Sequence, residues 1–183
     1  TKELVKAGHT VYEFDLMNNC DIRDQKQLDI ACATHQIERI LHLAAIARFS
    51  DADKDPLLAH DINVLGTRNV ALVAQKYHIP VVYASTGSVY MPISHSAKPP
   101  ITEEFAAQGN STYGCTKHQG ELYIKKFASP WIILRYAHLY GKEKRMHGLI
   151  GGYIDRIKRG AAPTLYGGKQ SNDFTYIKDV AKA

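Results

Sequence analysis

Long apolar runs are absent from this chain. Nowhere do its 183 residues approach the roughly 20 consecutive apolar positions that carry a helix across a bilayer. The opening stretch, Thr1-Lys2-Glu3-Leu4-Val5-Lys6-Ala7-Gly8-His9, does not have the layout of a secretory signal. A cytoplasmic chain without a membrane partner is therefore expected. Cysteine is scarce as well. Cys20, Cys32 and Cys115 form an odd set without metal-ligand spacing, which argues against a disulfide framework and a structural metal and suits a reducing compartment. Charge of one sign is not concentrated either. Lys and Arg number 23 against 18 Asp and Glu, a formal net charge of +5. The basic clusters at Lys125-Lys126, Lys142 to Arg145 and Arg156 to Arg159 have acids among them, so nucleic acid is not an expected partner. Internal repeats and low-complexity segments are also missing.

What is present is ordinary for a globular protein: 45% apolar and 22% charged residues, enough for one domain, or one domain and part of another, with a real core. Leu4, Val5 and Ala7 read as the end of a helix stopped at Gly8. Thr10 to Asp15 alternates as a strand ending on an acid. A helix is expected over residues 24–36, a short buried strand over Arg39 to Leu43, and a long helix over residues 56–77. Pro80 to Ala84 reads as the next strand, Tyr113 to about Phe127 as a helix, and Trp131 to Arg135 as a further strand. Strands separated by helices imply parallel βαβ units, hence an α/β, doubly wound parallel sheet. The Pro-rich loop from Pro92 to Pro100 is the expected mobile segment. A chain of this class opens with a strand and a glycine-rich phosphate turn. Neither is found here, so the chain reads as truncated.

The chemistry points to Tyr113-Gly114-Cys115-Thr116-Lys117 and to Ala84-Ser85-Thr86-Gly87-Ser88-Val89-Tyr90. Residues four apart on a helix lie one above the other, which places Lys117 beside Tyr113. An ammonium next to a phenol stabilises the phenolate, so the tyrosine can exchange a proton near neutral pH. Thr86, at the end of an apolar strand, offers the second hydroxyl that proton and hydride chemistry on a carbinol or carbonyl needs. Cys115, inside the same turn, reads as a small helix residue rather than a nucleophile.

These residues fall in a longer series. After Asp15 come Asp21-Ile22-Arg23-Asp24, His42-Leu43-Ala44-Ala45, Asn63-Val64-Leu65-Gly66-Thr67-Arg68-Asn69 and the Thr86 and Tyr113 segments. Arg135-Tyr136-Ala137-His138-Leu139-Tyr140-Gly141 and Asp173-Phe174-Thr175-Tyr176-Ile177-Lys178-Asp179-Val180 complete it. In this order they resemble the extended short-chain dehydrogenase/reductases, the NAD-dependent nucleotide-sugar epimerase/dehydratase group. The likeness covers essentially the whole chain and implies a Rossmann-like fold.

The resemblance assigns roles residue by residue. Thr86, Tyr113 and Lys117 are the implied catalytic set: Tyr113 as acid/base, Lys117 on the cofactor ribose, Thr86 on the reacting oxygen. NAD is the implied cofactor, held by Asp15 at the adenosine ribose, Asp21 and Ile22 at the adenine, and Leu43, Ala44 and Ala45 along the backbone path. Asn63 is implied near Lys117, and Tyr136 near the nicotinamide. An acid at Asp15 repels a 2′-phosphate and so favours NAD over NADP. Gly87 and Ser88 stand where the dehydratases carry an acid pair, which disfavours dehydration. His138 replaces a usual Asn and Asn172 a usual Arg at positions implied to contact substrate. The family's phosphate-binding Gly-x-x-Gly-x-x-Gly is absent.

The expected organisation is a truncated NAD-binding region over 1–141, part of a substrate region over 142–172, and a return segment over 173–183. Within the second, a helix is expected over Leu149 to Arg159 and a strand over Thr164 to Tyr166. The expected activity is epimerisation at a sugar hydroxyl, the substrate a small molecule of nucleotide-sugar type. Two alternatives stand beside it: an NAD-dependent reductase or dehydrogenase of a smaller carbonyl, and a non-catalytic dinucleotide-sensing protein. Helices 56–77 and 113–127 could build a homodimer, with Leu65, Ala71 and Leu72 fitting either that interface or helix-on-sheet packing.

Overall fold

Strand β1 (Ile40–His42) pairs parallel with β2 (Val81–Thr86), Ile40 opposite Val81 and His42 opposite Tyr83. Strand β3 (Trp131–Tyr136) completes a sheet of order β1-β2-β3. The computed structural model describes residues 1–90, 100–141, 149–164, 167–168 and 172–182. The Pro-rich loop except Pro100, the run Lys142 to Arg145, and residues 165–166 of the expected strand lie outside the described residues. No helix among the described residues is long and apolar enough to cross a membrane.

The chain divides into two compact units, Thr10–Arg135 and a second that joins Thr1–His9 to Tyr136–Ala183. In the first, helix α2 (Gln25–Thr34) starts where Asp24 accepts hydrogen bonds from the Lys26 and Gln27 amides. It buries Leu28, Ala31 and Cys32, spaced to share one face. The long helix expected over 56–77 forms in three parts: α4 (Pro56–His60), a π-helical turn at Asp61–Gly66, and α5 (Thr67–Tyr77). A short helix, α3 (Phe49–Lys54), precedes it and was not foreseen. Helix α5 serves two cores at once. Val70 and Val73 pack with Ile22, Leu28, Cys32 and Ile79, whereas Ala71 and Ala74 pack with Val81, Tyr83, Ile124 and Ala128. Ala71, fully buried in this way, belongs to helix-on-sheet packing and is not free to form a dimer contact.

Helix α6 (Thr112–Phe127) begins with Ser111 accepting from the Gly114 amide and ends close to the expected Phe127. It crosses β2 at close range because Gly120 has no side chain. A Cβ there would collide with the Tyr83 hydroxyl. A Cβ on Gly114 would stand 2.8 Å from the Ser88 carbonyl, so this glycine admits the turn that follows Thr86.

One expected strand does not form. Thr10 to Asp15 is irregular, although Phe14 packs on the α2–α5 core. A strand exists through its ladder, and among the described residues this segment has no ladder partner.

The second unit holds helix α1 (Lys2–Lys6), followed by Gly8 at φ +89°, as a C-terminal stop requires. It also holds helix α7 (Leu149–Lys158), as expected. Strand β4 (His138–Tyr140) pairs parallel with β5 (Phe174–Tyr176), which runs into the short helix α8 (Ile177–Val180). Neither strand was expected. Each is three residues long, too short for an alternation to show in sequence.

Candidate active site

Thr86 ends β2 and the half-buried Tyr113 lies in the first turn of α6, with the Thr86 side chain near enough to influence the phenol. Burial raises the Tyr113 pKa above the usual phenol value, and the Thr86 hydrogen bond opposes that rise. Thr86 Oγ1 also lies 3.2 Å from the Ser88 hydroxyl, to which it donates, and accepts from the Ser88 amide. Phe49, at the start of α3, meets Tyr113 edge-on with ring centroids 5.3 Å apart while remaining 44% exposed.

Lys117, one turn further along α6, is only 2% exposed. Its ammonium lies 4.1 Å from the centroid of the Tyr83 ring, a cation–π contact within the sheet core. Burial pulls its pKa down to about 7, against the support of the Glu121 carboxylate. The expected shift in Tyr113 from Lys117 is thus not what sets the phenol here, where burial dominates.

Asn63 sits in the π-helical turn, fully buried. Its carboxamide accepts from the Ile46 amide at 2.8 Å and donates to the Ile46 carbonyl at 3.1 Å and to Thr116 Oγ1 at 3.0 Å. Thr116 in turn donates to the Tyr113 carbonyl at 3.0 Å. Asn63 therefore acts on the backbone after Ala44-Ala45 and on the residue beside Lys117, not on the lysine ammonium. A π turn inserts an extra residue into the helix, and such turns cluster at functional sites.

The residues assigned to the adenosine end are spread over the surface and the core. Asp15 is exposed and caps a short turn, accepting from the Met17 amide at 2.9 Å through Oδ1 and leaving Oδ2 without a partner among the described residues. That oxygen suits a ribose hydroxyl. Asp21 is held by Arg23, whose guanidinium and amide both donate to it, and these bonds keep its carboxyl below the usual range despite partial burial. The Ile22 side chain belongs to the α2–α5 core, and its carbonyl accepts from Asn69. Leu43 is exposed, and Ala44 and Ala45 are half-buried in the turn after β1.

Tyr136, His138 and Asn172 fall in the second unit. There burial raises the Tyr136 phenol pKa, and the His138 ring packs at a tilt against Phe174 with centroids 5.5 Å apart. The His138 amide donates to the Asp173 carbonyl, and Asn172 is exposed just before it. A shallow hollow within this unit is lined by His138, Tyr140, Leu149, Ile154 and Phe174.

Several buried polar groups escaped the sequence reading. Glu121 is fully buried and bonded to Ser85 and Arg135. His42 is buried and 2.8 Å from Thr67 Oγ1, with a pKa pushed down to about 3 by burial and by the Lys117 charge. A signal existed for the first group: Arg135 is a charge inside an apolar strand, and Glu121 follows Lys117 by one helical turn.

Residues 1–183 match the NAD dependent epimerase/dehydratase family. A putative UDP-glucose 4-epimerase of Methanocaldococcus jannaschii is 37% identical over 175 residues, covering 90% of this chain and 56% of the relative. The chain thus spans about half the length of the curated relatives it matches. Among solved structures, UDP-glucose 4-epimerase of Thermus thermophilus in complex with NAD superposes with a TM-score of 0.76 at 27% identity, over 88% of this chain and 56% of that one. UDP-glucose 4-epimerase of Thermotoga maritima, solved with UDP-glucose, shares the fold with a TM-score of 0.84 at 23% identity, over 99% and 66%. With the match running the length of the chain, the protein belongs to the NAD-dependent epimerase/dehydratase family.

Proposed function

We propose that this chain is part of an NAD-dependent epimerase that inverts a hydroxyl-bearing carbon of a nucleotide sugar through a transient ketone. The observation that carries the reading is the placement of the half-buried Tyr113 one helical turn from the buried Lys117 on α6, with Thr86 ending the strand on which that helix packs. Asp15 would hold the adenosine ribose, and its charge selects NAD over a 2′-phosphorylated dinucleotide. When bound, NAD would supply the hydride acceptor for the oxidation and, once reduced, the hydride donor for the reverse step. Tyr113 takes the proton of the substrate hydroxyl as the ketone forms and gives it back when the alcohol is restored. Thr86 hydrogen-bonds the same oxygen and keeps it in line with the phenol. Lys117, whose proton affinity lies close to neutrality, adjusts the charge beneath this pair.

Dehydration is not part of the proposal. Gly87 has no side chain, and the Ser88 hydroxyl is engaged by Thr86, so neither offers an acid or base to expel water. The exposed, neutral Asn172 supports a second reading, net reduction or oxidation of a smaller carbonyl, because an amide cannot replace a charge that pairs with nucleotide phosphates.

In the full-length protein, Tyr113→Phe is expected to lower turnover by about 10²–10⁴-fold with NAD affinity nearly unchanged. Normal turnover in this variant would sink the assignment. Accumulation of NADH with substrate would favour the net redox reading, since an epimerase returns its hydride. A thermal titration of this chain with NAD and with NADP tests the cofactor. Ligand at about a hundred times its dissociation constant stabilises by about 2.7 kcal/mol, and the shift is expected with NAD alone.

A further inference from the structure

We propose that Glu121 is a positioning residue for the reaction centre, fixing the helix that carries Tyr113 and Lys117 against the strand end that carries Thr86. The inference rests on the catalytic reading of those three residues. Glu121 follows Lys117 by one turn of α6 and is fully buried. Its Oε1 accepts from the Ser85 hydroxyl at 2.5 Å and from Arg135 Nε at 2.9 Å, and its Oε2 accepts from Arg135 Nη2 at 2.7 Å. Arg135 reaches on from β3 to donate to the Tyr90 hydroxyl at 2.6 Å. Ser85 immediately precedes Thr86, and Tyr90 closes the turn that follows it. One carboxylate thus ties together α6, the end of β2, the turn after it and β3.

Geometry and charge act in the same direction. A bidentate guanidinium–carboxylate pair has two fixed bonds and resists rotation, so sliding α6 along the sheet would break both. Burial alone would raise the Glu121 pKa, but the bonds from Arg135 and Ser85 prevail and keep it ionised below the usual range. Lys117 is faced by Tyr83 from β2, by His42 from β1 and by Glu121 from its own helix, with Arg135 and Lys125 on the far side of the carboxylate. Glu121 is the anion among these, and its charge favours the lysine's charged form.

The test compares wild type, Glu121→Gln and the double variant Glu121→Gln/Arg135→Met in the full-length protein. The Lys117 titration is followed by NMR of ¹⁵N-lysine, and turnover is followed on a UDP-sugar. In Glu121→Gln the Lys117 midpoint is expected to fall by about one pH unit or more, because a counter-charge is lost and Arg135 is left uncompensated. Turnover should fall about tenfold or more with KM nearly constant, as for loss of alignment in the transition state. If the single variant does not fold, the double variant also removes the Arg135 charge that the single variant leaves unpaired, and carries the same direction of change at Lys117. An unchanged kcat in either folded variant overturns the proposal. So does a loss of thermal stability with the Lys117 midpoint left in place. Should wild type turn over no nucleotide sugar, the functional reading fails by itself, and the Lys117 midpoint still decides whether Glu121 supports that lysine.

Discussion

The Lys117 ammonium rests 4.1 Å from the centre of the Tyr83 ring, a lysine turned into the sheet core rather than out to solvent. Burial raises the Tyr83 phenol pKa, so this ring stays neutral and presents its π face to the cation. The cost of holding that charge appears as a pKa near 7 in place of the ordinary 10.5.

Stability should rise with pH across the alkaline range. Between about 7 and 10.5 the unfolded chain keeps the Lys117 proton and the folded chain releases it. More protons are then bound in the unfolded state, so unfolding free energy grows with pH. Lys117→Met is expected to flatten this slope, with a difference from wild type of a few kcal/mol at most. Urea unfolding of both proteins at pH 7 and pH 10 checks it; parallel pH profiles would contradict the buried, depressed lysine.

His42 governs the acid side. It is buried neutral, with a folded pKa of about 3 against an ordinary 6.5. The stability it contributes is complete above pH 6.5 and is lost as pH falls toward 3. His42→Gln keeps a polar group near Thr67 and removes the titration. This variant should lose less stability than wild type between pH 6.5 and 4, and equal losses would show that carboxylates alone drive acid unfolding.

Asn63 should tolerate almost no replacement. Asn63→Leu keeps the volume but leaves the Ile46 amide and carbonyl and the Thr116 hydroxyl short of a partner. Each buried group left unsatisfied costs about 1–3 kcal/mol, so a loss of several kcal/mol in denaturant unfolding is expected. A loss within about 0.5 kcal/mol, as at an ordinary surface site, would show that the amide is not a structural clamp.

Gly120 and Tyr83 should be coupled. Gly120→Ala places a methyl against the Tyr83 hydroxyl and is expected to cost about 1–3 kcal/mol. Tyr83→Phe removes that hydroxyl, so the alanine should cost less in the phenylalanine background. A double-mutant cycle on equilibrium unfolding reads the coupling directly, and strict additivity would contradict the contact.

Much of this protein was legible in its residues alone. Apolar spacing and the stop at Gly8 marked the end of α1, and α2, α6 and α7 were foreseen to within a few residues, because helix ends such as those capped by Asp24 and Ser111 are set by local geometry. The order of the short motifs pointed to the family, and the Thr86, Tyr113 and Lys117 segments fell on the end of a strand and one face of a helix, as their spacing required. Other features depended on partners far away in sequence. Thr10 to Asp15 alternates like a strand but has no ladder to join among the described residues, while His138–Tyr140 and Phe174–Tyr176 become strands only through each other. The acidity of Lys117, His42 and Glu121 was likewise beyond sequence, since desolvation and counter-charges are set by what the fold stacks above and below each group. The sequence determined which residues could do chemistry and on which element each would lie. Tertiary packing alone decided which of them would be dry, which would be paired, and therefore which would carry charge near neutral pH.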